Sequence, residues 1–139
     1  MKKSDISNVM FADETHKEKF VEVINRMNYA DCYHLAVAYL ITLDTVCRQH
    51  INQLYDFEEQ CIIPEALNKS WQTDTSKKTT RLAFNLWNGC HSDGDTYTDK
   101  DGYTTPLPSR LFSVDEIFSC SYALYYCESL KLRFPENFR

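Results

Sequence analysis

Apolar residues recur at helical spacing along most of this chain and alternate with polar ones in a single stretch. Phe20, Val23, Ile24 and Met27 form a narrow stripe behind Thr15 and Glu18, which match a capping box, so the spacing predicts a helix over 15–28. Asp31 is the next candidate cap. The run from Cys32 to Leu43 is apolar on both faces, which predicts an enclosed central helix too short to cross a bilayer. Thr45 restarts a helix through about Tyr55, with Cys47, His50, Ile51 and Leu54 on its inner arc. Pro64 suits the first turn of a short helix through Leu67. A further helix runs from Thr75 or Ser76 to Asn88 and stops at Gly89, with Leu82, Ala83, Leu86 and Trp87 on one side. Ser113 and Glu116 make a second capping box and open a long helix towards Arg133, terminated by Pro135.

Alternation replaces helical spacing between Cys90 and Arg110. Thr96–Thr98 and Tyr103–Thr105 flank Asp99-Lys100-Asp101-Gly102, a hairpin pattern in which Gly102 takes the positive φ after a type I turn. So short a hairpin needs a helical body behind it. The expected fold is mainly α, a compact bundle of about five principal helices with a small β-hairpin insertion. Its organisation is a flexible tail over 1–10 and one helical domain over 11–139, with the loop and hairpin excursion at 90–110.

Composition narrows the function classes. Aromatics are 14% of the residues, with three glycines and four prolines, enough large apolar groups to order one core. The net charge is −5, which argues against a generic phosphate-backbone binder while leaving room for a local basic patch. Positive charge at Lys2 and Lys3 is followed by no apolar region, so the start does not read as a signal peptide, and a cytoplasmic setting with no membrane partner is expected. Cys32, Cys47, Cys61, Cys90, Cys120 and Cys127 are widely spaced within apolar patterns and read as reduced core thiols.

Several chemical patterns are weak. Cys47 and His50 are three apart and could face one ion with His34 or Cys61, but no paired ligand knuckle exists and core packing is the stronger reading. Carboxylates alternate from Asp93 to Asp101, yet Thr98 and Thr104 stand where a calcium loop needs glycine and glutamate, so a solvated turn is expected. No nucleophile elbow, zinc-protease helix or glycine-rich phosphate loop occurs. The expectation is therefore no cofactor, no metal and no catalytic residue.

One surface stands out. Lys78, Arg81, Asn85 and Asn88 line the polar side of the 76–88 helix, with Trp71, Gln72 and Lys77 near its start. A guanidinium fork and carboxamides suit a carboxylate or phosphate partner. The competing reading has Arg81 and Asn85 tie the connector and hairpin to the body. Tyr97 and Tyr103 on the hairpin complete the candidate binding set.

The segments Ile51–Leu67, Trp71–Gly89 and Ser129–Phe138 resemble an uncharacterised family of small Firmicutes proteins, often associated with phages and mobile elements. The resemblance spans most of 11–138 and implies no activity or catalytic residues. It implies an accessory protein acting on a host system, including an inhibitor of a host defence such as CRISPR. The leading expectation is a non-catalytic interaction module whose partner is a host protein or protein–nucleic-acid assembly, with a homodimer through the same aromatic surface as a further partner state. The alternatives are a small metal-dependent enzyme with a carboxylate/histidine site and a nucleic-acid binder using Lys77, Lys78 and Arg81.

Overall fold

A computed structural model describes residues 6–138. Among the described residues are seven α-helical segments, three 3-10 turns and two two-stranded antiparallel hairpins. The chain is mainly helical, as expected, but two of the predicted helices are each broken in two and a second hairpin is present.

The first helix, α1 (Glu14–Arg26), begins at Asp13 rather than Thr15. The Asp13 carboxylate accepts the His16 amide at 2.8 Å, and a charged oxygen beside the helix N-terminus outcompetes the Thr15 hydroxyl. Helix α2 (Cys32–Leu43) is capped by Asp31 as predicted and is buried without interruption from Ala36 to Leu43. It is the centre of the molecule and packs against α1, α5 (Asp74–Asn88) and α7 (Ala123–Arg133).

The helix expected from Thr45 to Tyr55 splits into α3 (Thr45–Gln49) and α4 (Ile51–Leu54), with His50 at φ −128° between them. The His50 amide reaches only to the Cys47 carbonyl, and its ring Nδ1 lies 2.9 Å from the Val46 oxygen that an unbroken helix would give that amide. The ring also stacks on Trp71 with centroids 4.1 Å apart. The acidic segment after α4 forms the hairpin of β1 (Tyr55–Asp56) and β2 (Cys61–Ile62), in register Tyr55 to Ile62. Its turn is closed by the Asp56 carboxylate, which accepts the amides of Glu58 and Glu59, and by the Gln60 side chain, which donates to the Phe57 carbonyl and accepts the Asn28 amide. Those contacts hold Gln60 at φ +56°, costly for a residue with a Cβ. The expected turn at Pro64 is a 3-10 helix, Pro64–Asn68.

Helix α5 starts earlier than Thr75. Thr73 is the cap, and it and Ser76 exchange side-chain and backbone hydrogen bonds at 3.1 and 2.7 Å. Gly89 ends it at φ +78°, as predicted. Strands β3 (Thr96–Thr98) and β4 (Thr104–Pro106) pair with Thr98 opposite Thr104. After the 3-10 turn Arg110–Phe112, the predicted long helix breaks into α6 (Val114–Ile117) and α7. The Glu116 carbonyl accepts Lys78 Nζ at 2.6 Å and the Ser119 hydroxyl at 2.9 Å, and the Cys120 thiol turns to the Ile117 carbonyl. Side chains thus hold the carbonyls that the amides of residues 120 and 121 would need.

Of the tail expected over 1–10, residues 1–5 lie outside the described residues. Ile6 and Val9 pack against the core. Met10 is held at both backbone groups, its N–H donating to Glu128 and its carbonyl accepting the Tyr39 hydroxyl. His16, wholly buried, fixes the next turn. Its Nδ1 accepts the Ala12 amide at 3.1 Å and its Nε2 lies 2.9 Å from the Tyr39 carbonyl, so the neutral ring with hydrogen on Nε2 satisfies both.

Candidate functional site

On helix α5 the predicted inner residues Leu82, Ala83 and Leu86 are buried and Trp87 is half-buried, and Phe84, not among those predicted, is buried with them. The polar stripe of α5, however, meets the 90–110 excursion and α6. Arg81, with a side chain only 12% exposed, donates through Nε to Asp93 at 2.9 Å. The other Asp93 oxygen accepts the Ser109 hydroxyl at 2.7 Å, so one carboxylate ties both legs of the excursion to the helix. Asn85 donates to the Cys90 carbonyl, and the Asn88 side-chain oxygen accepts the Cys90 amide. Lys78 donates to the Glu116 carbonyl and to Ser119. The stripe thus fits the tying reading: its residues hold their neighbours in place. A cleft of about 340 Å³ remains beside Lys77, Lys78 and Arg81, with Asp74 and Glu116 on its walls offsetting their charge.

Trp71 and Gln72 are also engaged. The Trp71 indole donates to Gln53 at 2.8 Å while its ring covers His50. Gln72 donates to the Ala66 carbonyl and to Thr80 and accepts the Ser76 hydroxyl, binding the start of α5 to the Pro64–Asn68 turn.

The remaining two candidates differ. Tyr97 and Tyr103 are 58% and 73% exposed, and Leu107 beside them is 44% exposed. The hairpin that carries them is ordered from its base upward. Ser109 donates its amide to His91, Leu107 to Asp95, and Asp99 closes the tip by accepting the amides of Asp101 and Tyr103. Asp93 and Asp99 therefore serve the loop itself, and the carboxylates read as a calcium pattern are not gathered round one point.

The cysteine and histidine pairs do not converge either. Cys47 is wholly buried, with its thiol 3.6 Å from both the Ser76 carbonyl and the Thr80 hydroxyl; burial and then the nearby Asp44 charge push its pKa up, so it stays a thiol. His50 faces Trp71 and His34 contacts Asp31. Among the described residues no group of three or more His, Cys, Asp or Glu is placed to hold a metal ion. The other ionisable groups raised by burial are tyrosines of the core. Tyr55 is pushed up to about 12, and Tyr39 and Tyr126 are shifted the same way. Tyr126 shares a 2.6 Å hydrogen bond with Thr79, which in turn reaches the buried Asp44, a contact internal to the α2–α5–α7 packing.

Sequence reasoning missed Asp93 as the partner of Arg81 and Ser109 as the second donor to that carboxylate. An acid and a hydroxyl at the two ends of a predicted hairpin, opposite an arginine on the preceding helix, are the signal that marks such a clasp.

A family model described as a family of unknown function, DUF6075, matches residues 6–139. Neither a curated protein nor a solved structure matches the chain. No helix among the described residues is long and apolar enough to cross a membrane.

Proposed function

We propose that this chain, which belongs to the DUF6075 family, is a non-catalytic interaction module that presents the 90–110 hairpin to a protein partner. The observation that carries this reading is the contrast between the hairpin's base and its tip. The base is clasped by Arg81, Asp93, Ser109 and Asn85, while Tyr97, Tyr103 and Leu107 stand in solvent. Tyrosines held in a fixed frame contribute contact area at small entropic cost, which is the property of the few residues that dominate interfaces. The proposed partner is a host protein or a host protein–nucleic-acid assembly met in the cytoplasm, and a defence complex encountered by a mobile element is the first class to test.

Purified protein and its Tyr97→Ala/Tyr103→Ala variant should be compared against extracts and then against purified candidates. The expected result is a defined factor retained by the parent and weakened at least about tenfold by the variant, with unchanged thermal stability. Identical recovery by both proteins would remove the hairpin from the interface.

A further inference from the structure

The hairpin has a second face, and a hollow continues from it. Thr98 and Thr104 are paired across the strands with their hydroxyls 3.1 Å apart, so they project on one side and Tyr97 on the other. Thr96 and Pro106 share the threonine side and line a hollow of about 340 Å³ between the hairpin base and the Pro64–Asn68 turn. Its apolar lining includes Leu67 and Phe84, 6% and 0% exposed, with Pro64 beside them. Three carboxylates also line it. Asp93 is neutralised by Arg81, whereas the side chains of Glu65 and Asp95 are exposed and have no hydrogen-bond or ion-pair partner among the described residues. No lysine, arginine or histidine among the described residues lines the space.

An apolar lining with two unneutralised carboxylates matches one chemistry, a cationic head on an alkyl stem. Lysine and arginine side chains lay their methylenes along apolar surface and extend the charge to its edge. The volume sits near the lower limit of small-molecule sites, so it suits one long side chain and its neighbour rather than a helix. We infer that this hollow and the threonine face of the hairpin receive an extended protein segment presenting arginine or lysine. The inference rests on the interaction-module reading and specifies the partner's chemistry: a basic segment whose cation lies between Glu65 and Asp95 while its backbone follows the threonine face. Complementary charge directs the encounter, so binding weakens as salt rises.

The probe is a blocked pentapeptide, Ala-Arg-Ala-Arg-Ala, added to labelled protein at low ionic strength and followed by backbone amide shifts. Saturable shifts confined to residues 64–68, 92–96 and the neighbourhood of Pro106 are expected, and none from Ala-Glu-Ala-Glu-Ala. Glu65→Gln/Asp95→Asn should weaken binding by about tenfold, as two partly exposed ion pairs would. Glu58→Gln/Glu59→Gln removes the same charge from the other hairpin and should leave binding unchanged. Shifts that follow total charge, appear equally around residues 56–60, or survive Glu65→Gln/Asp95→Asn would overturn the inference. The two readings fail separately. A host factor lost on Tyr97→Ala/Tyr103→Ala with no peptide response at the hollow leaves the module and removes the basic segment. A hollow that saturates with peptide while no host factor depends on the hairpin tyrosines does the reverse.

Discussion

Helix α2 and the 90–110 excursion are built from opposite materials. In α2 the residues from Ala36 to Leu43 are all buried, and the two hydroxyls among them return to backbone carbonyls, Thr42 to Ala38 and Tyr39 to Met10, each at 2.6 Å. In the excursion both strands are exposed at every position, and the attachments to the body include a carboxylate, two carboxamides and a hydroxyl. Hydrophobic burial is non-directional and scales with area, so α2 holds the bundle together without specifying a fine geometry. Hydrogen bonds are directional and individually modest, so the clasp fixes an orientation while contributing less to overall stability than the burial of α2 does. Stability and presentation are thereby assigned to different regions, and substitutions should separate them.

The largest effect belongs to α2. Leu40→Ala removes a fully buried side chain and should cost about 2–5 kcal/mol by denaturant unfolding, whereas Tyr103→Ala should stay within about 0.5 kcal/mol. Comparable losses in the two variants would mean that the hairpin is part of the cooperative core, and the division would fail.

Arg81→Ala tests the boundary between the regions. It strips the ion pair from a largely buried carboxylate and should cost about 1–3 kcal/mol. Its diagnostic sign is where protection is lost. Amide exchange at Leu107 and Ser109, which bond across the excursion, should accelerate, while the amides of α2 keep their protection relative to global unfolding. Uniform acceleration would make Arg81 a core residue instead of a clasp.

Acid sharpens the other side of the contrast. Burial holds His16 below its usual 6.5, with the Tyr39 carbonyl opposing that shift only in part. The unfolded chain therefore takes up a proton near 6.5 that the folded protein refuses, so stability is fully present above that pH and declines as pH falls below it. The unfolding midpoint should drop between about pH 7 and about pH 5, accompanied by loosening of Ala12 and Met10 next to the ring, before the excursion responds. A flat profile across that interval would place His16 in contact with water.

These differences also explain what was legible in the chain. Apolar spacing is a property of one segment, so the faces of α2 and α5, the Gly89 stop and the hairpin turning at Gly102 could be read directly. The hairpin's second strand lies one residue later, at Thr104–Pro106, than the Tyr103–Thr105 expected. The breaks at His50 and at 118–122 depend on distant groups. Trp71 stacks on His50, and Lys78 from α5 takes the Glu116 carbonyl, so a capping box and a clean apolar ridge gave no warning of either. The binding stripe met the same difficulty. Lys78, Arg81 and Asn85 have the spacing of an exposed polar face, and only the packing of the excursion and α6 onto α5 shows which groups already answer them.

The smallest effect isolates presentation from stability. Gly102 sits at φ +85° and a Cβ there would meet nothing within 4 Å, so any substitution acts through backbone conformation alone. Alanine at positive φ costs on the order of 1 kcal/mol, asparagine less, and a β-branched residue more. Gly102→Asn, Gly102→Ala and Gly102→Val should therefore loosen the Thr98–Thr104 pairing in that order, read from cross-strand contacts in NMR spectra. The unfolding midpoint should scarcely move, because the tip is exposed and α2 does not depend on it. If the hairpin is the presented surface, affinity for its partner should fall in the same order as the pairing, at constant midpoint. Affinity that ignores a frayed tip would show that Tyr97 and Tyr103 need no frame, and the clasp at Arg81 would then have no role in recognition.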